Sequence, residues 1–188
     1  RRHAHVFGEA EAATASAVLR SWEAIKAGER EQKGETSIFD DVPLALPALA
    51  RAQKLQKRAA RVGFDWADFR GPLLKIHEEL VELSEEIGIP TTWSAPDLGD
   101  PLARNAAAQQ RAEAAPKPRL LHEVGDILFA AVNLARFLHL DAEETLREAN
   151  ARFTRRFHRV EAEVHRRGHR VEELPLPELD AIWVSIKG

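Results

Sequence analysis

The segment "RLLHEVGDILFAAVNLARFL", Arg119 to Leu138, constrains the fold more than any other part of the chain. It is rich in Leu and Ala, lacks proline and is too long for a strand, so it reads as a helix. Past Arg119 its polar side chains are few: His122, Glu123, Asp126, Asn133 and Arg136. Leu120, Val124, Ile127, Ala131, Leu134 and Leu138 form one apolar stripe facing a core, and Leu121, Leu128 and Val132 cover a second face. Glu123 and Asp126 stand three residues apart beside the first stripe. Carboxylates in such surroundings are costly unless they meet a cation, an Arg or a proton. Gly125 between them lowers helix propensity by about 1 kcal/mol against Ala. A close approach by a ligand or a neighbouring helix would explain it.

The rest of the chain is also helical in character, with Ala, Leu, Glu and Arg dominant and almost no β-branched alternation. The pattern predicts helices over Glu11–Ala27, Pro47–Val62, Pro72–Ile87, Arg119–Leu138, Ala142–Arg167 and Pro177–Ile186. Asp141 caps the fifth of these with Glu144 at the third position, and Pro177 fits a first turn. Gly63, Gly88 and Gly168 stand where helices should stop. Gly88–Pro118 differs from its surroundings. It carries five prolines and the aromatic Trp93, with an Ala/Gln-rich patch, Ala103–Ala115, that reads as a short helix. The expectation is a loop that orders over a ligand and brings Trp93 to it.

An internal echo bears on domain organisation. "RRHAHVF" opens the chain and "RRFHRVE" recurs at Arg155–Glu161, while "WEAIKAG" at Trp22–Gly28 is answered by "WVSIKG" at Trp183–Gly188. Either these matches are chance, or residues 1–41 are the tail of a preceding repeat plus a linker, with one complete domain over residues 42–188. The chain begins at Arg1 and has no Met, which agrees with a fragment or a processed product.

Composition removes several classes. There is no Cys, so disulfides, thiolate metal sites and Cys nucleophiles are excluded, and a cytoplasmic setting is compatible. Lys and Arg number 27 against 30 Asp and Glu, a formal charge of −3. That balance supplies no field for nucleic acid or an anionic membrane, and no apolar run is long enough to span a bilayer.

The chemistry concentrates on two helices. In "LLKIHEELVELSEEIGIP" a core stripe of Leu73, Ile76, Leu80, Leu83 and Ile87 is flanked by a column containing Lys75, Glu79 and Glu82. Glu78 points farther round. Residues three or four apart on a helix are neighbours, so this E-E-x-x-E helix and the E-x-x-D helix each offer a pair of acids. Together they can form an oxygen cage for Mg²⁺ or Mn²⁺ and phosphate oxygens. Alone, E-E-x-x-E would more simply be a solvated face. A di-iron bundle requires E-x-x-H pairs, and a zinc protease requires H-E-x-x-H; "HEELV" and "HEVGD" lack the second His. His77 and His122 are read as structural or supporting residues, with His122 able to touch Asp126. No Walker loop, G-x-G-x-x-G or nucleophile elbow is present. The complementary positive charge lies in "ANARFTRRFHRVE", where Arg152, Arg155, Arg156 and Arg159 share a broad face. Arg and Lys near such a cage point to a polyphosphate.

Taken in order, E-E-x-x-E, E-x-x-D, N-L-A-R, R-R-F and the late "DAIWVSIK" resemble the MazG-type nucleoside triphosphate pyrophosphohydrolases, over Val42–Ile87 and Arg119–Gly188. The resemblance implies an all-α bundle of the MazG-like NTP pyrophosphatase type, completed by assembly into a homodimer or higher oligomer. It implies Mg²⁺-dependent hydrolysis of a nucleoside triphosphate between the α- and β-phosphates by metal-activated water, giving nucleoside monophosphate and pyrophosphate. Carried over by motif, Glu79, Glu82, Glu123 and Asp126 would hold the metal, with Glu78 as a further catalytic acid. Lys75, Asn150, Arg152, Arg155, Arg156 and Trp183 would lie beside the nucleotide. Two departures stand out: Gly88–Pro118 is longer than the usual connection, and His122 occupies a position where an acid is common. Two other readings remain open, a non-catalytic helical interaction module and a metal-dependent hydrolase of another diphosphate, such as a nucleotide sugar or an alarmone.

Overall fold

Helix ends are set where the sequence supplies a cap or a residue that tolerates left-handed backbone. The computed structural model describes residues 37–91 and 105–186. Six α-helices occur among them: α1 (Ala48–Arg61), α2 (Arg70–Glu86), α3 (Ala106–Ala114), α4 (Lys117–Phe137), α5 (Ala142–Arg166) and α6 (Leu176–Ser185), with a 3₁₀ turn at Val171–Glu173. No strand occurs among the described residues. The expected helix Glu11–Ala27, the echo at the start of the chain and Trp93 lie outside the described residues.

The caps follow the local chemistry. The Asp141 side chain accepts from the Glu144 N–H at 2.9 Å, satisfying one of the orphan donors at the start of α5. Gly63, Gly88 and Gly168 end α1, α2 and α5 with φ of 84°, 67° and 83°, where a Cβ would be strained. His139 takes the same role after α4, with φ 58°, which the sequence did not indicate. The Ala/Gln patch forms α3, whose first turn is capped by Asn105 accepting from Ala108 N–H. Arg111 reaches back to the Gly88 carbonyl and Arg119 to Glu86, tying the two ends of the long connection to α2.

Helices α2 and α4 form the principal pair; α1 and α5 also meet α4, and α6 lies against α5. Polar side chains hold α1 in place. Gln53 donates to the Leu140 carbonyl at 2.7 Å and accepts from Ala142 N–H at 3.0 Å, and Gln56 donates to the Phe129 carbonyl at 2.8 Å. Arg58 pairs with Asp41 beneath them. A small apolar core of Val160, Val164 and Ile182 joins α5 to α6, with Leu179 and Trp183 packed beside it.

The apolar stripes correct the sequence reading. On α4 the buried residues are Ala130 and Val132, whereas Leu121 is 79% exposed and Val124, Leu128 and Leu138 are also exposed. On α2 the buried residues are Pro72, Glu79 and Ser84, while Leu73 and Leu74 are exposed. Periodicity found the apolar faces but could not say that many of their side chains are exposed. A Cβ built on Gly125 would meet nothing within 4 Å, so no described residue approaches it and the expected helix contact there is absent.

Candidate active site

The E-E-x-x-E and E-x-x-D spacings lie on α2 and α4, the most closely paired helices. Their acids meet. Ligand atoms of Glu79, Glu82 and Glu123 lie within 4.8 Å of one another, and so do those of His122, Glu123 and Asp126. Glu123 belongs to both groups.

Lys75 sits one turn before Glu79. Its Nζ lies 2.5 Å from Glu79 Oε1 and 2.8 Å from Glu78 Oε1, and these bonds, Glu78 first, hold the ammonium pKa above its ordinary value. Glu79 is 2% exposed, and its other oxygen, Oε2, is buried with no hydrogen-bond partner. Glu123 is 13% exposed and also keeps a buried Oε2 without a partner. Burial pushes the Glu123 carboxyl above its ordinary range, with the charge of Glu82 adding to the effect. Two orphaned anionic oxygens in one cluster are expensive to leave unmet. A hard divalent cation would satisfy them, so the residues fit the metal that the motifs imply.

The cluster opens into a cavity of about 620 Å³. Lys75, Glu79 and Asp126 line one part of it, and Phe39, Phe64, Trp66 and Phe129 give it apolar and aromatic walls, with Asn133 and Arg136 alongside. Arg136 is fixed: both terminal nitrogens bond to Asp65, and Nε donates to Asn133 Oδ1 at 2.9 Å. The Trp66 indole lies on the first turn of α2, where a Cβ at Gly71 would come within 2.5 Å of it. Gly71 therefore makes room for this wall. The sequence reading assigned no role to Phe39, Phe64, Asp65, Trp66, Phe129, Asn133 or Arg136. The signal available was "GFDWADF", a cluster of aromatics in a short stretch without helical periodicity.

The structure thus brings together Lys75, Glu78, Glu79, Glu82, Glu123 and Asp126. It does not bring the other expected nucleotide-binding residues to the same cavity, whose lining includes no residue of α5 or α6. Asn150, Arg152 and Arg155 lie on the exposed surface of α5, with Arg152 3.8 Å from Glu148. Arg156 lies over the Trp183 ring, 3.9 Å from its centroid, and donates to the Trp183 carbonyl. The Phe153 ring packs against the same indole at 5.4 Å, tilted by 45°. These contacts give Arg156 and Trp183 a structural role in joining α5 to α6.

No family model matches the chain. Curated proteins do. The chain is 43% identical over its whole length to the nucleoside triphosphate pyrophosphohydrolase of Escherichia coli (strain K12), and 38% identical to the nucleoside triphosphate pyrophosphohydrolase/pyrophosphatase MazG of Thermotoga maritima. It is also 37% identical to the uncharacterized protein YabN of Bacillus subtilis, covering 33% of it. The chain spans 62% and 61% of the length of the first two. The resemblance first carried by the motifs is thereby shown over the full chain.

Proposed function

We propose that this chain, a relative of the MazG-type nucleoside triphosphate pyrophosphohydrolases, cleaves nucleoside triphosphates to nucleoside monophosphate and pyrophosphate. One observation carries the reading: a single cavity takes in Lys75, Glu79 and Asp126 together with the aromatic wall of Phe64, Trp66 and Phe129. A nucleotide has the matching polarity, with an anionic end that requires cations and a flat base that stacks on aromatic faces.

In this reading Glu79, Glu82, Glu123 and Asp126 hold Mg²⁺, or Mn²⁺. When bound, the ion supplies charge neutralisation for the polyphosphate and increased acidity for an attacking water. Lys75 adds an ammonium that can move from Glu78 to a phosphate oxygen as charge builds on the leaving pyrophosphate. Glu78, exposed and released by that move, can accept a hydrogen bond from the attacking water and orient it. Neither nucleic acid nor a membrane enters this account, and none of the described helices is long and apolar enough to cross a membrane. A nucleotide substrate agrees with the expected cytoplasmic setting.

The same reading includes a homodimer or higher oligomer. Leu121, Val124 and Leu128 on α4, with Leu73 and Leu74 on α2, expose apolar side chains, and patches of that kind mark interaction surfaces. The test is a product assay with Mg²⁺ and a panel of NTPs and dNTPs.

A further inference from the structure

We infer that Gln56 and Asn133 read one edge of the nucleobase. The Gln56 carbonyl oxygen accepts from a base N–H, and the Asn133 amide nitrogen donates to the ring nitrogen or carbonyl oxygen beside it. The inference rests on the proposed reading of the aromatic cavity as the seat of a nucleotide base.

The two amides share a wall. Both residues line the cavity, Gln56 from α1 and Asn133 from α4. Gln56 Nε2 donates to the Phe129 carbonyl at 2.8 Å. A helix carbonyl points along the axis toward the residue four places on, which for Phe129 is Asn133. The Gln56 amide is therefore held beside the turn that carries Asn133. The Phe129 ring, also in the lining, offers a face on which a base can stack.

Partners fix the polarity of each amide, because they decide which end is oxygen and which nitrogen. The Gln56 nitrogen is taken by a carbonyl, so its oxygen is the end left over. Gln56 is 6% exposed, and its Oε1 is buried without a hydrogen-bond partner. A buried acceptor left unmet is costly, and only a donor can meet it. Asn133 is the converse. Its Oδ1 accepts from Arg136 Nε at 2.9 Å and from a terminal nitrogen of the same guanidinium at 2.8 Å. A guanidinium has only donors to offer, and Asp65 holds both terminal nitrogens of this one. The Asn133 amide therefore cannot turn over. Its Nδ2, without a partner among the described residues, is the end left to donate.

An acceptor beside a donor suits the Watson–Crick edge of a base, the edge by which enzymes read an unpaired base. Adenine and cytosine present an amino group beside a ring nitrogen, and guanine and uracil a ring N–H beside a carbonyl. The pair thus demands a free edge without choosing among the four, and rejects a base whose N–H is missing or blocked. A base must shift the wall slightly to reach the covered Oε1, and Phe64, 82% exposed, is the most exposed ring of that wall.

The experiment compares KM within two pairs on the wild type: UTP against 3-methyl-UTP, and ATP against purine riboside triphosphate, which lacks the amino group. KM is expected to be on the order of tenfold or more higher for each analogue, the effect of leaving a buried acceptor unmet. Asn133→Asp keeps the acceptor for Arg136 and replaces the donor by a second acceptor. It should raise KM for UTP and ATP on the order of tenfold, with inhibition by inorganic pyrophosphate little changed. A general effect of the added charge would weaken pyrophosphate as well. Equal KM within both pairs would overturn the inference, and so would an Asn133→Asp enzyme whose KM is unchanged or rises in step with the pyrophosphate constant. The analogue pairs decide the matter even where the variant does not fold. If wild type forms monophosphate and pyrophosphate from all four nucleotides at equal KM, the pyrophosphohydrolase reading stands and the base-reading pair falls. If wild type cleaves none of them, both fall.

Discussion

Lys75 Nζ lies 2.5 Å from Glu79 Oε1, and Glu79 is buried while Lys75 is partly exposed. The ammonium is thus the cation that the metal-free protein provides for a carboxylate buried between α2 and α4. Removing it leaves an anion without compensation. Lys75→Ala should lower stability in EDTA by about 1–3 kcal/mol, the cost of an unsatisfied buried group. Mg²⁺ should restore a good part of the loss, because the ion takes over the charge. Melting curves with and without Mg²⁺ decide it. An unchanged melting temperature in EDTA would show that Lys75 does not support Glu79.

Glu123 has the opposite sign. Burial raises its carboxyl pKa above the ordinary value, with Glu82 adding to it. A raised acid binds its proton more tightly in the folded state, so its contribution favours folding at low pH and turns unfavourable as pH climbs through the folded pKa. Glu123→Gln should therefore raise the melting temperature of the metal-free protein at neutral pH. The gain should shrink as pH falls toward the ordinary Glu range, where both forms are neutral. A gain that does not vary with pH would assign the effect to something other than this charge.

The aromatic wall carries its own test. Phe64 is 82% exposed yet lines the cavity, so its truncation should leave stability nearly unchanged. Stacking of a base on an aromatic ring contributes about 1–3 kcal/mol. Phe64→Ala should thus raise KM for nucleotides about tenfold or more. Inhibition by inorganic pyrophosphate, which has no base, should not move. Equal losses for nucleotide and pyrophosphate would mean that the base lies elsewhere.

Much of this was legible in the sequence, for reasons that differ by residue. Asp141 and the three glycines act through local backbone chemistry, so they fixed helix ends without tertiary information. Glu79, Glu82, Glu123 and Asp126 were legible because acids at helical spacing beside apolar stripes are costly without a purpose. The cavity wall was not: Phe64 and Trp66 lie between helices, where no period applies, and Asn133 and Arg136 gain meaning only once Asp65 folds across to them. Leu73 and Val124 were placed in a core because periodicity reports apolarity and not what covers it. The contact of Arg156 with Trp183, which joins α5 to α6, was not legible, because it links residues on separate helices that no single period relates.

The exposed leucines make the oligomer testable. Leu121→Asp places a charge on the most exposed large apolar side chain of α4, and in a monomer that costs little. In an oligomer that buries this face, the same change should shift the sedimentation coefficient to that of a monomer and lower activity. Secondary structure should be retained, because Leu121 is largely exposed and the new charge displaces no buried side chain. A wild type that sediments as a monomer at micromolar concentration would contradict the assembly.

The central claim is the bond that breaks. Incubation with Mg²⁺ and a panel of NTPs and dNTPs, with the products resolved, measures it directly. Equal amounts of nucleoside monophosphate and pyrophosphate are expected from the wild type. The rate should fall on the order of a hundredfold or more in Glu79→Gln and in Asp126→Asn, both still folded, since each loses a charged member of the proposed metal cage. Nucleoside diphosphate and inorganic phosphate as the products, or wild-type rates in both variants, would contradict the claim.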